Sequence, residues 1–354
     1  QHQARAHVPL HTLPSPFLAP VRDPYVFLWG FGGEMPTFPG AVANARDRHP
    51  ERAQKGVLPL RWFFGPNARG RGWENKEAFI RKYTDICGTL KPWLGITVDE
   101  WQSRTKYREA GIEYRIDGSI EGLTAAEKQN PGVYTAVYWR GEDSIEPLTR
   151  IGLPDLIVIE GYTHVHKDRP MSHGISMKGI KGRIDKARRL GAIERTIVML
   201  GHILSPESYR PDHRLTPDIL DAQVRELRAY APEMPGIAFY MAKDPKLVRA
   251  ADDACRRYFV DPAPDVHFTE PVFQSTVPAA PITLAVEVTP KEGRSIREFR
   301  WFADNLLVAR SRKPSLQLDL AQLGDGYHFL TAHAIDSDWN RAAAQIPVIV
   351  ERGK

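Results

Sequence analysis

The sequence holds two cysteines in 354 residues, so a disulfide framework is excluded and at most one bridge can form. Cys87 and Cys255 both fall inside helical patterns, and two unpaired core cysteines are the expectation. Long apolar runs are missing as well. None approaches the roughly 18–20 residues that a membrane helix needs, and the opening QHQARAHVPLHTLPSP lacks an apolar stretch of the signal-peptide kind. No membrane span is expected. A first residue of Gln rather than Met fits a mature chain from which an export signal has been removed, so export is expected. The net charge is +5, yet Lys and Arg are interleaved with Asp and Glu and form no compact cluster, so no nucleic-acid partner is expected. No Gly-rich dinucleotide or phosphate loop follows an apolar run, and no serine sits in a GxSxG elbow. No cofactor is expected.

What is present is a strong alternation. From Tyr25 to Met241 short apolar runs alternate with segments of helical period: YVFLWGF, VLPLRWFF, WLGITVDEW, VYTAVYW, DLIVIEGY, TIVMLGHIL and GIAFYMA. Continuous apolar runs between helices are the pattern of parallel strands buried on both faces. Phe79, Tyr83, Ile86 and Leu90 recur at the helical period, as do Leu220, Val224 and Leu227, and Leu247, Ala251, Ala254 and Tyr258. Thr216 before Pro217 reads as an N-cap with proline in the first turn. Seven visible strands in about 240 residues fit a (β/α)8 TIM-like barrel with one strand overlooked. The segment between Trp101 and Val133 is the expected hiding place, with GIEYRIDG from Gly111 as an irregular strand. After Phe259 the pattern becomes Pro-rich and then turns to short strand-like runs separated by turn residues, the spacing of a small all-β sandwich. The expected division is an N-terminal extension at 1–23, a barrel at 24–262 and a sandwich at 263–354.

Barrels of this kind carry their chemistry at the C-terminal ends of the strands. Asp99 and Glu100 end WLGITVDEW, and Glu160 ends DLIVIEGY. A carboxylate straight after an apolar strand must face the barrel mouth or find a partner, because an unpaired buried charge is costly. A salt bridge to a strand-end arginine such as Arg61 or Arg140 is the structural alternative. Alternation points Asp99 inward with Gly95 and Thr97, whereas Glu100 projects only where the strand has ended. Two carboxylates across a barrel mouth suit glycoside hydrolysis, one protonated to serve the leaving oxygen and the other ionised. Glu100 is assigned as acid/base, Glu160 as nucleophile or base, and Asp99 as tuning its neighbour's pKa. Aromatic residues crowd the same ends, and their faces suit the C–H faces of sugar rings. The expected substrate-binding set is Trp29, Glu34, Arg61, Trp73, Trp101, Trp139, Tyr162, His202 and Tyr240. His164, His166 and Asp168 offer a metal-binding alternative, a metal-dependent hydrolase, although no metal is assigned to the main reading.

Two resemblances follow from these residues. REFRWFADNLLVAR, then PSLQLDLAQLGDGYHFLTAHAIDSDWN, then AAQIPVIVE resembles the immunoglobulin-like modules appended to secreted bacterial glycosidases, over roughly the last 75 residues. Its marks are the "ADN" hairpin and the "DGYH" turn. The earlier part resembles the TIM-barrel glycoside hydrolases of secreted bacteria, through Glu100 after ITVD, Glu160 after LIVI and the aromatic strand ends. In the largest clan of such enzymes the acid/base follows the fourth strand and the nucleophile the seventh; here the two glutamates follow the third and fifth visible strands. The resemblance implies a monomeric, secreted, periplasmic or cell-surface glycosidase acting on a poly- or oligosaccharide. The non-enzymatic alternative is a glycan-binding or adhesion protein.

Overall fold

The computed structural model describes residues 25–29, 41–45, 58–63, 65–67, 73–89, 95–101, 104–129, 133–140, 145–161, 177–201, 215–240, 245–304 and 306–352. The expected extension at 1–23 lies outside them. The chain divides into two compact units, Val26–Ala254 and the part from Cys255 onward, to which Tyr25 also belongs.

The first unit is a closed barrel of parallel strands: β1 (Val26–Trp29), β2 (Ala41–Ala45), β3 (Leu58–Phe63), β4 (Gly95–Trp101), β5 (Tyr134–Trp139), β6 (Leu156–Glu160), β7 (Thr196–Gly201) and β8 (Gly236–Tyr240). Each pairs with the next, and β8 returns to β1. The described helices are α1 (Lys76–Gly88), α2 (Arg104–Glu109), α3 (Tyr114–Gln129), α4 (Glu146–Arg150), α5 (Met177–Arg189), α6 (Pro217–Tyr230) and α7 (Pro245–Cys255). Alternation splits each strand between two apolar environments. Leu28, Leu60, Ala136, Tyr138, Leu156, Val158, Ile197, Met199 and Ala238 fill the barrel interior. Their neighbours Phe27, Ile96, Val137, Ile157, Val198 and Phe239 are buried on the other face, beneath the helical layer. That double burial is why the runs read as continuous apolar stretches. The cap at Thr216 forms as expected, its hydroxyl accepting from Ile219 N. Both cysteines are buried and neither forms a disulfide, and burial pushes the Cys87 thiol up to about 12.

The overlooked strand is β2, not the segment after Trp101. Its sequence, AVANA, carries little apolar bulk and leaves no periodic trace. The stretch from Arg104 to Gln129 is helical instead, and GIEYRIDG runs into α3. Two glycines inside α3 have a packing reason. A Cβ on Gly118 would lie 2.7 Å from Phe79 Cβ, and one on Gly122 would lie 2.7 Å from Tyr83 Cδ2. α3 therefore lies close enough to α1 that larger side chains at these points do not fit.

The second unit begins with the last turn of α7, continues through a π-helical turn at Arg256–Val260, and enters a two-sheet β-structure. Its strands are β9 (Asp265–Glu270), β10 (Thr276–Pro278), β11 (Pro281–Thr289), β12 (Ile296–Ala303), β13 (Leu306–Ser311), β14 (Ser315–Asp319), β15 (Gly326–Asp336) and β16 (Arg341–Glu351). One sheet runs β10-β16-β15-β12-β13 and the other β14-β11-β9. Leu284 and Val286 from the smaller sheet join Phe299, Trp301, Leu330, Ala332, Val348 and Val350 from the larger in one core. The Pro-rich stretch after Phe259 thus contributes β9 and β10. Tyr25 is held in this unit, its hydroxyl accepting from Arg341 N at 2.8 Å and its ring meeting Phe259 edge-on.

The two turn motifs meet inside this sandwich. Asp304, in the "ADN" hairpin at φ +44°, accepts from Phe329 N at 2.8 Å through Oδ1. Its Oδ2 lies 2.6 Å from Nδ1 of His328, whose Nε2 lies 2.6 Å from the Gly324 carbonyl. Both ring nitrogens face acceptors, so the arrangement is satisfied when each carries a proton. Burial opposes that charge, but the hydrogen bond and charge of Asp304, with the Gly324 carbonyl, raise the His328 pKa above its ordinary value. The sign follows from linkage: a raised folded pKa gives stability that is complete below the unfolded value of about 6.5 and is lost as pH rises through the folded value. Denaturation of the wild type at a series of pH values from about 6 to 9 should show stability falling once the pH passes the unfolded value of about 6.5. In His328→Gln that fall should disappear, and its persistence would show that the histidine is not the responsible group.

Candidate active site

The register of the barrel decides which strand ends face the mouth. Gly95 and Thr97 stand opposite Tyr134 and Ala136, and Leu156 and Val158 opposite Ala136 and Tyr138. Tyr138, Val158 and their row mates belong to the interior. Continuing that row places Asp99, Arg140 and Glu160 at the inward ends of three successive strands. With β2 counted, Asp99 and Glu100 close the fourth strand and Glu160 the sixth.

β4 departs from regular alternation at this point. Val98 pairs with Val137 and Trp101 with Trp139, so three steps along β4 match two along β5, and one extra residue is accommodated between Val98 and Trp101. Val98 and Trp101 are both wholly buried on the outer face. Asp99 and Glu100 therefore occupy a bulge, the irregularity that lets two consecutive residues depart from strict in-and-out order. The side chain of Glu100 lies outside the described residues; that of Asp99 is partly exposed. Gly65, at φ +55°, backs this bulge. A Cβ there would overlap the Val98 side chain and approach the Asp99 carbonyl at 3.2 Å, so the turn Gly65–Asn67 closes on β4 because it has no side chain at that position.

Glu160 is 4% exposed, a position where an ionised carboxylate without a partner would be strongly disfavoured. Arg140 supplies the partner, its Nε standing 2.8 Å from Glu160 Oε2 while its side chain remains 42% exposed. The pair thus spans from the buried rim toward solvent. Arg183 on α5 adds a contact from behind, donating to the carbonyls of Arg140 at 2.9 Å and Glu160 at 3.4 Å. Beyond Glu160 the rim continues with Gly201 and Tyr240, which stand opposite each other in register. A Cβ on Gly201, at φ +116°, would overlap the Tyr240 carbonyl, so this strand end presents no side chain. Tyr240 is partly buried against the interior cluster.

The other expected binding residues separate into three groups. Trp101 and Trp139 are both 0% exposed and pair in register on the outer face, so neither ring is presented to the mouth. The bulge sets this outcome for Trp101 by returning it to the face of Val98. Arg61 follows inward-facing Leu60 and stands opposite outward-facing Ile96, and its charge acts on Cys87 of α1, on the helix side of the barrel. Trp73 lies against Phe63 and Phe79, with ring centroids 5.3 and 4.8 Å apart; it is a partly buried packing residue at the start of α1. Glu34, Tyr162 and His202, the metal alternative His164, His166 and Asp168, and the side chain of Trp29 lie outside the described residues. Among the described residues no group of three or more His, Cys, Asp or Glu side chains could hold a metal, and no helix is long and apolar enough to cross a membrane.

Arg140 was legible, beside Arg61, as a strand-end salt-bridge partner. Arg183 was missed, because nothing local marks a helix residue 23 positions after Glu160 as a neighbour of two strand ends.

No protein-family model matches the chain, and no curated protein matches it. Among solved structures it is similar to the endo-beta-1,4-mannanase from Thermotoga petrophila, at 9% identity and TM-score 0.41, over 86% of this chain and 81% of that one. It is similar to the endo-beta-N-acetylglucosaminidase from Cordyceps militaris, at 10% identity and TM-score 0.46, over 65% and 90%. Fibronectin(III)-like modules of Clostridium thermocellum CbhA match at 17% identity and TM-score 0.22, over 25% of this chain and 47% of that one. At these values the likenesses carry no argument about activity, which rests on this chain's own residues.

Removal of one member of the rim ion pair should be felt in stability. Arg140→Met should destabilise the barrel by about 1–3 kcal/mol, less than the roughly 3–5 kcal/mol of a fully buried pair because Arg140 is half exposed. Arg140→Met combined with Glu160→Gln should recover part of that loss in urea denaturation; strictly additive losses would mean that the two side chains are not coupled.

Proposed function

We propose that the chain is a glycoside hydrolase whose carboxylates work at the C-terminal rim of the barrel. The observation that carries this reading is the run of ionisable residues on three adjacent strand ends: Asp99 with Glu100 on β4, Arg140 after β5, and Glu160 on β6. Glycoside hydrolysis needs two carboxyl groups in opposite protonation states. The guanidinium beside Glu160 favours its ionised form, which suits the nucleophile or base. Glu100 then serves as the acid, giving its proton to the glycosidic oxygen as the bond to the anomeric carbon breaks, while Glu160 attacks that carbon or takes a proton from the attacking water. Asp99, adjacent in the bulge, disfavours a second negative charge on Glu100 and so helps hold its proton. β4 and β6 are separated by one strand, so their backbones stand roughly 10 Å apart.

One feature supports a sugar as the bound group: Tyr240, the last residue of β8, offers an aromatic face with a polar tip. The C-terminal sandwich, read as an immunoglobulin-like spacer, and export from a bacterial cell complete the proposal.

The test is a glycan-library screen, acidic polysaccharides included, read by release of reducing ends. On the substrate found, Glu160→Gln and Glu100→Gln should each lower kcat by about 10²–10⁴-fold with melting temperature and ligand binding nearly unchanged. Wild-type rates in both variants would remove the assignment; binding without turnover in the wild type would favour the adhesion reading.

A further inference from the structure

We infer that Arg183 is a positioning residue for the Arg140–Glu160 pair, acting by closing a seam between β5 and β6. The register of these strands ends with Trp139 opposite Ile159, one step short of the ion pair. Arg140 N donates to the Trp101 carbonyl of β4 at 2.9 Å and Gly161 N to the Met199 carbonyl of β7 at 3.0 Å, the regular ladder bonds of these strand ends to their outer neighbours. The ion pair lies at the seam between β5 and β6, one step past the last register pair of the described residues. Arg183 reaches over the same place from α5, giving one guanidinium nitrogen to the Arg140 carbonyl at 2.9 Å and the other to the Glu160 carbonyl at 3.4 Å. These are the carbonyls of the two residues whose side chains form the pair.

The chemistry of the bridge is specific to a guanidinium. Its nitrogens are fixed in a plane and can serve two acceptors at once, whereas an ammonium is a single point of charge. A bridge between two main-chain oxygens constrains the separation of the two Cα atoms, and through it the 2.8 Å contact between Arg140 Nε and Glu160 Oε2. When the seam loosens, Glu160 keeps its burial but loses part of its counter-charge, and its proton is then held more tightly.

The experiment uses the full chain, labelled with carbon-13 at the glutamate side-chain carboxyl, and follows Glu160 by NMR titration, with Glu160→Gln identifying its resonance. In Arg183→Met and in Arg183→Lys the midpoint should rise by about one pH unit or more above wild type. In Arg81→Met, which removes an exposed arginine of α1, it should stay at the wild-type value. A wild-type midpoint in Arg183→Lys would mean that charge alone matters and would overturn the bridge, as would a wild-type midpoint in Arg183→Met. Should Arg183→Met fail to fold, Arg183→Lys decides by the same criterion. The role bears on the same site as the proposed hydrolase, but this readout needs no turnover. A moved midpoint together with an inactive wild type would sink the hydrolase reading and leave the positioning role standing.

Discussion

A carboxylate held 4% exposed at the rim of a closed barrel is the constraint around which the first unit is arranged. Taking that charge out of water is costly, and the inward row of the neighbouring strand supplies the compensation in Arg140. The contact is a consequence of register: parallel pairing puts residues of adjacent strands side by side on the same face, so the residues following Trp139 and Ile159 meet. The half-exposed guanidinium lets the pair remain hydrated at one end.

The rim on the β4 side depends on a different device. The extra residue between Val98 and Trp101 shifts the register there and returns the bulky indole to the outer face of Val98. Gly65 makes room for this bulge from behind, and the α1–α3 contact through Gly118 and Gly122 keeps the helices covering this side close to one another. The sandwich solves a comparable problem with one buried pair, His328 and Asp304, which join the hairpin after β12 to the turn before β15.

Much of this was legible in the chain before any fold was seen. The apolar runs located seven of the eight barrel strands, the Thr216–Pro217 cap located α6, and the change after Phe259 located the sandwich. Glu160 stood out because a carboxylate closing LIVI has few acceptable environments. What escaped has physical reasons. β2 is written in small residues and carries almost no hydrophobic signal. The glycines of α3 look like breakers until the helix they accommodate is in place. Trp101 stood in the expected binding set, but a bulge has no sequence mark, and its ring proved to be core.

The sequence by itself determined the alternation of strands and helices and the positions at which charges interrupt apolar strands, because these follow from periodicity and local burial. Only the tertiary structure decided which charge answers which: Arg140 rather than Arg61 beside Glu160, and Arg183 across the seam behind them. Those pairings depend on strand register and on where a helix returns to the barrel, and both are set by closure of the whole sheet rather than by any local stretch of chain.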